Sequence, residues 1–329
     1  MMKMKFPRRQ ILHLVAGAAA LPAILRVARA QAYPSRPVRF VVGFAPGGGG
    51  DLATRLMGQW LSERLGQQFV VENRVGASSN LATEQVVRAP ADGYTLIQLN
   101  VANAINASLY EKLSFNVLRD LVPVASFMRV PNIMEVAPTL PVNTVPEFIA
   151  YAKANPGKVM FVSSGVGTSI HMSGELFKAM AQIDMLHVPY RGLGAGGYAD
   201  LMTGTVHVTF DNLPSSIELA RAGKLRALAV TSTARSEAMP ELPTVSEFLP
   251  GYEASAWYGI AAPVGTPVAI VERLNHELNA AFADPRMKAR IAELGGTPLP
   301  GSPADFGKLI AEETEKWAKV VKFAGIKPE

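Results

Sequence analysis

The sequence predicts an α/β protein in which two doubly wound lobes enclose a ligand cleft. Three observations predict it. Apolar stretches of strand length alternate with amphipathic stretches of helix length in short units. The turns from strand to helix are rich in glycine, serine and asparagine. The 329 residues, 49% hydrophobic and 18% charged, exceed one ordinary domain.

The first thirty residues predict a cleaved export signal. They carry six Lys or Arg and no Asp or Glu, and their apolar run at residues 11–25 is too short to span a bilayer comfortably. Small residues at 28 and 30 predict cleavage after Ala30 and a mature start near Gln31. Arg8 and Arg9 fit either a twin-arginine signal or an ordinary basic start. We therefore expect a periplasmic protein.

The formal net charge of +5 comes from that segment, because the rest of the chain has 26 basic and 27 acidic residues. A nearly neutral chain without basic and aromatic stripes disfavours nucleic-acid binding. The chain has no cysteine, which excludes disulfides. No spacing of His, Asp or Glu is typical of a metal site. We expect no nucleic acid, no metal and no cofactor.

The unit at residues 38–65 organises the rest. An apolar strand at 38–42 runs into Pro46 and four glycines, and Asp51 opens a helix whose apolar residues recur at helical spacing. Glycine lets backbone approach a ligand closely. The first turn of a helix offers unpaired N–H groups and a partial positive charge. Together these features predict an anion cradle.

The glycine run fits three interpretations. In the first, it binds a carboxylate or another small anion. In the second, it binds a dinucleotide, because Gly48-x-Gly50-x-x-Ala53 matches the dinucleotide fingerprint and Glu72 lies near the spacing of the acidic residue that binds the ribose. In the third interpretation the glycines only form a turn and Asp51 only caps the helix. Asp51 argues against the dinucleotide, because a carboxylate in the first helical turn would repel pyrophosphate.

The alternation continues to the end of the chain, with boundaries set by caps and by proline or glycine. Strands are predicted at residues 68–73, 94–99, 158–162, 185–188, 206–210, 225–231 and 257–262. Helices are predicted at residues 79–89, 146–154, 214–222, 267–282 and 303–323, with another that ends near 181. Residues 100–106 are predicted as a polar loop. The apolar stretch 121–136 and the strand at 257–262 are predicted to form a two-stranded hinge.

Ligands of open parallel sheets lie beyond the carboxyl ends of the strands. Lobe 1 is predicted at residues 31–134 and 257–329, and lobe 2 at 135–256. The polar turns of both lobes then face one crevice, as in a Venus-flytrap binding site. These turns lie at residues 44–51, 100–106, 163–171, 190–194 and 211–213.

The turn at 163–171, Ser-Ser-Gly-Val-Gly-Thr-Ser-Ile-His, is either a second anion cradle or only a well-capped helix start. No Gly-x-Ser-x-Gly elbow surrounds a serine, which disfavours a hydrolase. His171 either lies beside a carboxylate, which would favour its protonated form, or makes a structural hydrogen bond. Asp211 either accepts a hydrogen bond from a ligand or caps a helix. Arg191 either binds a carboxylate or is exposed to solvent. Trp257 and Tyr258 either pack in the hinge or stack on a ligand, and hinge packing is favoured.

Eight motifs span the mature chain in a fixed order. They are FAPGGGGD (44–51), VENRVGA (71–77), DGYTL (92–96), SSGVGTSIH (163–171), HVPYRG (187–192), FDNLP (210–214), GKLRALAVT (223–231) and WYG (257–259). In this order they resemble the Bug family, the extracytoplasmic solute receptors of tripartite tricarboxylate transporters. Two stretches depart from the family pattern. Gly49 and Gly50 stand where a polar residue is common, and Ala-Ser-Ser-Asn at 77–80 replaces a glycine-rich stretch.

The resemblance implies a type II periplasmic-binding-protein fold without catalysis. It implies a small carboxylate ligand, such as a di- or tricarboxylate, an amino-dicarboxylic acid or an aromatic acid, held partly through bridging waters. It also implies delivery to membrane permease subunits by a monomer, although a receptor for a sensor would use the same site. The alternative function is an exported NAD(P)-dependent oxidoreductase. The predicted ligand-binding residues are Phe44, Ala45, Gly48, Gly49, Gly50, Asp51, Asn103, Ser164, Gly165, Thr168, Ser169, His171, Arg191 and Asp211.

Overall fold

The computed structural model describes residues 33–110 and 112–327, so the predicted export signal lies outside the described residues. Contacts divide the chain after Ser35, and the fold described below begins at Arg36. Its strands are β1 (Val38–Val42), β2 (Phe69–Asn73), β3 (Thr95–Asn100), β4 (Leu121–Val136), β5 (Val159–Ser163), β6 (Met185–Pro189), β7 (Val208–Asn212), β8 (Arg226–Val230), β9 (Ser255–Pro263) and β10 (Thr297–Pro298). Its α-helices are α1 (Gly49–Leu65), α2 (Asn80–Val87), α3 (Val101–Leu109), α4 (Val117–Asp120), α5 (Val145–Ala154), α6 (Ser169–Ala181), α7 (Gly197–Thr203), α8 (Leu213–Arg221), α9 (Val268–Ala281), α10 (Pro285–Glu293) and α11 (Pro303–Ala324).

Two groups of parallel strands flank a central antiparallel pair. The strand order is β2-β1-β3-β9-β4-β7-β5-β6, and β8 and β10 pair with β4. On one side β1 is parallel to β2 and β3, and on the other side β5 is parallel to β6 and β7. Because parallel strands need crossover connections, helices fill the links between them. The result is the predicted two-lobe α/β architecture.

Strand β4 connects the two halves. Its first part, up to Pro131, pairs with β9, and its last part, from Asn132, pairs with β7 and β8. Two register shifts, near Pro123 and Ser126, interrupt its pairing with β9. This confirms the predicted two-stranded hinge of β4 and β9. The lobe boundaries at 134/135 and 256/257 stay a prediction.

The predicted polar loop at residues 100–106 is wrong, because this segment forms helix α3. The side chain of Asn100 accepts from the Ala102 N–H, and the side chain of Asn103 accepts from the Asn100 N–H. Val101 and Ile105 point into the core at helical spacing. The polar asparagines that suggested a loop are therefore the capping box of a helix.

Within the described residues, no helix combines the length and the apolar composition that crossing a membrane requires. The largest buried side chains include Trp257 on β9 and Trp317 on α11. Phe306 of α11 packs edge-on against Trp257, with ring centroids 5.7 Å apart. Helix α11 therefore closes one face of the hinge pair.

Gly259 of β9 provides a test of this packing. A Cβ at Gly259 would lie 2.3 Å from the Phe306 ring and 2.6 Å from the carbonyl oxygen of Ala125. We expect Gly259→Ala to lower the free energy of unfolding by about 1–3 kcal/mol, because the hinge cannot move aside without losing its ladder. Urea unfolding followed by circular dichroism measures it.

Gly307→Ala is the matched control. A Cβ at Gly307, inside α11, would lie 3.5 Å from Pro123, an ordinary contact. Alanine is the better helix former, so this variant should gain about 0.5–1 kcal/mol. Equal effects of the two substitutions would contradict the packing described for β9.

Candidate functional site

An open cavity lies at the carboxyl ends of the parallel strands, and it encloses about 780 Å³ when the solvent space at its mouth is included. Both halves of the molecule and β9 contribute to its wall. The lining residues are Phe44, Ala45, Pro46, Gly47, Gly48, Gly49, Gly50, Asn100, Val101, Ala102, Ser164, Thr168, Ser169, Ile170, Gly192, Leu193, Gly194, Tyr198, Asp211, Asn212, Ser215, Ala256 and Tyr258.

Four helices direct their N-termini at this cavity. Helix α1 begins behind Gly48, which has no side chain to cap it, and its first internal hydrogen bond is donated by the Leu52 N–H. Helices α3, α6 and α8 begin at the lining residues Asn100, Thr168 and Asn212. The first-turn N–H groups of a helix lack intrahelical acceptors and carry partial positive charge. The cavity is therefore suited to negative oxygen atoms.

None of the described residues that line the cavity is Lys, Arg or His. An anion bound there would meet backbone N–H groups and hydroxyls rather than side-chain cations. Asp211 is the acidic residue in the lining. Recognition by oriented dipoles lets the wall stay closely packed without long, mobile side chains.

The glycine turn, residues 44–51, is shaped by a close contact with the hinge. A Cβ at Gly49 would lie 2.5 Å from the Tyr258 hydroxyl oxygen and 3.1 Å from the Cβ of Asn212. Gly47 has a left-handed φ of +82°, which favours glycine. Glycine at 49 therefore lets the start of α1 approach both β9 and the other half of the molecule.

Asp51 lies outside the cavity lining and stabilises the glycine turn. Its carboxylate accepts hydrogen bonds from the Gly47 N–H, Arg55 and Asn73, each at 2.9 Å. Burial alone would raise the pKa of Asp51, but these hydrogen bonds outweigh burial and lower it. The carboxylate is thus charged at neutral pH and held within the turn.

Helix α6 starts at the serine turn, residues 163–171. Thr168 caps it by accepting from the His171 N–H at 3.3 Å. The Ser169 hydroxyl accepts from the Asn212 side chain at 2.9 Å, and the same amide donates to the Asn132 side chain at 2.8 Å. This network ties α6 to β4 and β7, so the lining residues of this half are held as one unit.

His171 is buried below the serine turn rather than in the cavity wall. Its Nδ1 accepts from the Gly167 N–H at 3.2 Å, and its ring lies 4.1 Å from that of His187. Burial, assisted by the neighbouring His187, lowers the pKa of His171 to about 3. The ring is therefore neutral at pH 7, which matches the structural alternative for this residue.

Three further predicted residues also lie outside the lining. The Asn103 amide donates to Thr83 and its oxygen accepts from the Asn100 N–H, both at 3.0 Å. Gly165 and Arg191 line an outer groove next to the cavity, which shares Phe44, Ala45, Ser164 and Gly192 with it. The structure brings the remaining predicted residues together in the cavity wall. These are Phe44, Ala45, Gly48, Gly49, Gly50, Ser164, Thr168, Ser169 and Asp211.

Asp211 is almost completely buried in the cavity wall. It accepts from the Tyr198 hydroxyl and, at 2.7 Å, from the Asn212 N–H. Burial raises its pKa to about 6, against the opposing effect of these two donors. The wall of the cavity therefore carries a carboxyl group whose charge changes close to neutral pH.

Tyr258, for which the sequence favours hinge packing, lines the cavity. Its side chain is 2% exposed, and its hydroxyl has no hydrogen-bond partner among the described residues. Burial raises the pKa of Tyr258, so the group is a neutral O–H donor. A buried donor without an acceptor costs free energy, so this hydroxyl has hydrogen-bonding capacity left for a ligand or water. The WYG motif contained the signal, but only the fold shows where the hydroxyl lies.

Comparisons with known proteins agree with this geometry. A family model described as the tripartite tricarboxylate transporter family receptor matches residues 53–326. The protein BugT of Bordetella pertussis is 36% identical over 301 residues, which are 91% of this chain and 92% of BugT. A protein from Pseudomonas sp. strain P51, encoded in the tcbD-tcbE intergenic region, is 38% identical over 298 residues, which are 90% of this chain and 88% of that protein.

Solved structures give the same result. The R. palustris protein Rpa4515, solved with adipate, is 40% identical with a TM-score of 0.87, over 90% of this chain and all of Rpa4515. MatC from Rhodopseudomonas palustris, with bound malate, is 30% identical with a TM-score of 0.83, over 88% of this chain and all of MatC. The fold is thus the expected type II periplasmic-binding-protein fold, and the chain belongs to the receptor family of tripartite tricarboxylate transporters.

Proposed function

We propose that the protein captures a small carboxylate between its lobes and delivers it to the permease of a tripartite tricarboxylate-type transporter. The observation that carries this proposal is the convergence of four helix N-termini on one cavity whose described lining contains no cationic side chain. The relatives solved with adipate and malate bind carboxylates, which supports the same ligand class here.

The inner cavity wall supplies the ligand-binding groups in this proposal. We assign the carboxylate to the N–H groups at the starts of α1 and α6, with Ser164, Thr168 and Ser169 as hydroxyl partners. Tyr258 adds a hydroxyl donor from the hinge, and waters bridge the gaps. In this proposal Asp51 holds the glycine turn in shape, His171 holds the serine turn, and Asn103 caps the start of α3.

The energetics fit capture and release. Three or four charge-assisted hydrogen bonds contribute about 1.5–3 kcal/mol each. Each helix terminus adds about 0.3–1 kcal/mol. Immobilising the ligand and closing the lobes offset part of this sum. A surplus of about 8 kcal/mol corresponds to a micromolar Kd, which allows a receptor to release its ligand to a partner.

The remaining features of the proposal concern the whole protein. The mature chain starts near Gln31 in the periplasm and acts as a monomer without cofactor or catalysis. Lobe 1 comprises residues 31–134 and 257–329, and lobe 2 comprises residues 135–256. The change of partners along β4, from β9 to β7 after Pro131, supports a boundary in this region.

The alternative function, an exported NAD(P)-dependent oxidoreductase, has less support than the receptor function. It would need Glu72 for a ribose, but the Glu72 carboxylate is paired with Arg39 and Arg74, each at 2.9 Å, and is absent from the cavity lining. The family match and the carboxylate-bound relatives also favour the receptor.

A thermal-shift panel tests the function. Purified protein is screened against adipate, malate, citrate, aspartate and benzoate. NAD and NADP are included to test the oxidoreductase alternative. We expect at least one acid to raise the melting temperature saturably, because ligand that binds only the folded state stabilises it. Stabilisation by the nucleotides alone, or by no acid, would contradict the proposal.

Tyr258→Phe tests the hinge hydroxyl. Removing an unpartnered buried hydroxyl should leave the stability of the free protein unchanged or slightly higher. If the hydroxyl binds the carboxylate, the same change should weaken binding by about 1.5 kcal/mol, roughly tenfold in Kd. Calorimetric titration with the tightest acid of the panel measures Kd, and thermal unfolding measures stability.

Tyr252→Phe is the control, because the buried Tyr252 hydroxyl donates to the Ser173 carbonyl at 2.9 Å, outside the cavity lining. It should lower stability by about 1 kcal/mol and leave Kd unchanged. Unaltered affinity in Tyr258→Phe would remove this residue from the site.

A further inference from the structure

A second buried carboxyl group lies behind the cavity wall. Glu135 of β4 is fully buried, and neither of its carboxylate oxygens has a hydrogen-bond partner among the described residues. An ionised carboxylate without partners in the protein interior costs several kcal/mol. This residue is therefore a neutral acid unless another group shares its charge.

The register of the sheet places Glu135 beside Asp211. Glu135 pairs with Thr209 and Ile133 pairs with Asp211 across the antiparallel β4–β7 ladder. Residues directly opposite each other, and residues two apart on a strand, share one face of a sheet. Glu135 and Asp211 are thus diagonal neighbours on the same face, the face that α8 covers with Leu213.

Among the described residues, the groups that face the pair carry no compensating positive charge. Ser216, in the first turn of α8, faces Glu135 and partly opposes the rise in its pKa, and Tyr198 of α7 donates a hydrogen bond to Asp211. The hydroxyl of Tyr258 on β9 lies in the field of Asp211. On β8, Arg226 pairs with Val136 of the opposite face, and its guanidinium donates to the carbonyls of residues 138, 140 and 142. Within the described part of the chain, neither oxygen of Glu135 has a hydrogen-bond partner, and the hydrogen-bond partners of Asp211 are the neutral Tyr198 hydroxyl and the Asn212 N–H.

Two carboxylates in one low-dielectric site do not both ionise. Burial, and then the charge of Asp211, raises the pKa of Glu135 well above its ordinary value. Asp211 accepts two hydrogen bonds, whereas neither oxygen of Glu135 has a partner among the described residues. The single negative charge of the pair is therefore stabilised on Asp211, at the cavity surface, and the shared proton on Glu135.

Building on the proposed receptor function, we propose that the Glu135–Asp211 pair restricts the ligand to a carboxylate whose second polar group donates a hydrogen bond at Asp211. A hydroxyl or an ammonium group donates directly. A second carboxylate brings another negative charge, and binds only with one proton taken from solvent. That proton forms an O–H bond on Asp211 or on the ligand carboxylate and lies between the two groups.

This proton uptake determines how the Kd of a dicarboxylate changes with pH. Above pH 6 the free protein is mostly ionised at Asp211, and a dianionic ligand raises the pKa of that group further. Binding a dicarboxylate then takes up as much as one proton. Its Kd rises with pH by up to about tenfold per unit between pH 6 and 8. The Kd of a hydroxy acid that leaves Asp211 ionised stays nearly constant over this range.

Calorimetric titrations in buffers of different ionisation enthalpy test the proposal. Adipate and 6-hydroxyhexanoate have the same chain length and differ in the second polar group. We expect proton uptake approaching one for adipate at pH 7.5 and none for 6-hydroxyhexanoate. Asp211→Asn should abolish the uptake, improve adipate binding at pH 8 severalfold and weaken 6-hydroxyhexanoate binding. Proton-free adipate binding with a pH-independent Kd would overturn the proposal.

Glu313→Gln is the matched control for a buried acid. Glu313 is buried outside the cavity lining, accepts from the Trp317 indole at 2.9 Å, and lies 3.7 Å from Arg129. This variant should keep the wild-type proton uptake. Loss of uptake in Glu313→Gln would show that the coupling does not depend on the Glu135–Asp211 pair.

Infrared spectroscopy of the ligand-free protein tests the acid pair without any ligand. At pH 7 the spectrum should contain the C=O stretch of a protonated carboxyl group, absent in Glu135→Gln and present in Glu313→Gln. Absence of that band from the wild type would overturn the proposal. If no panel acid binds, the receptor function fails while this spectrum still decides the state of Glu135.

Discussion

The antiparallel pairing of β4 with β9 is the constraint on which the rest of the structure depends. Each half holds its own parallel strands, and among the described strands those of one half are joined to those of the other only through this pair. The carboxyl ends of both groups thereby face a common cavity. Tyr258 extends from β9 to the start of α1, and Asn212 at the end of β7 contacts the same glycine turn. The hinge is therefore also part of the cavity wall.

Binding an anion without side-chain cations has a physical consequence. Oriented backbone N–H groups cannot follow a ligand as a lysine can, so their positions must be fixed before the ligand arrives. Two buried hydrogen-bond networks fix the positions of these N–H groups. Asp51 and its donors hold the start of α1, and the Asn132–Asn212–Ser169 network holds the start of α6.

Much of this could be predicted from the sequence, because the main signals are local. Glycine runs after apolar strands, and helical spacing behind them, located α1 and α6 and the turns that begin them. The prediction failed at α3, where asparagines that favour loops form a capping box instead. The orientation of Asp51 depends on Asn73, 22 residues away in sequence, which no local pattern contains. Glu135 lies within an apolar stretch, and only the β4–β7 register brings it beside Asp211.

The backbone of residues 77–79, beside the outer groove next to the cavity, is strained. Ala77, Ser78 and Ser79 have left-handed φ values of 45°, 48° and 75°, which glycine adopts at little cost. Such residues cost about 1 kcal/mol or more each. The Ser78 hydroxyl, which glycine would lack, donates to the Val166 carbonyl of the serine turn. Asn106 donates to the Ser78 carbonyl at 2.8 Å. The strained segment thus joins the turn after β2 to the turn after β5, and the hydrogen bond between Ser78 and Val166 offsets part of the strain.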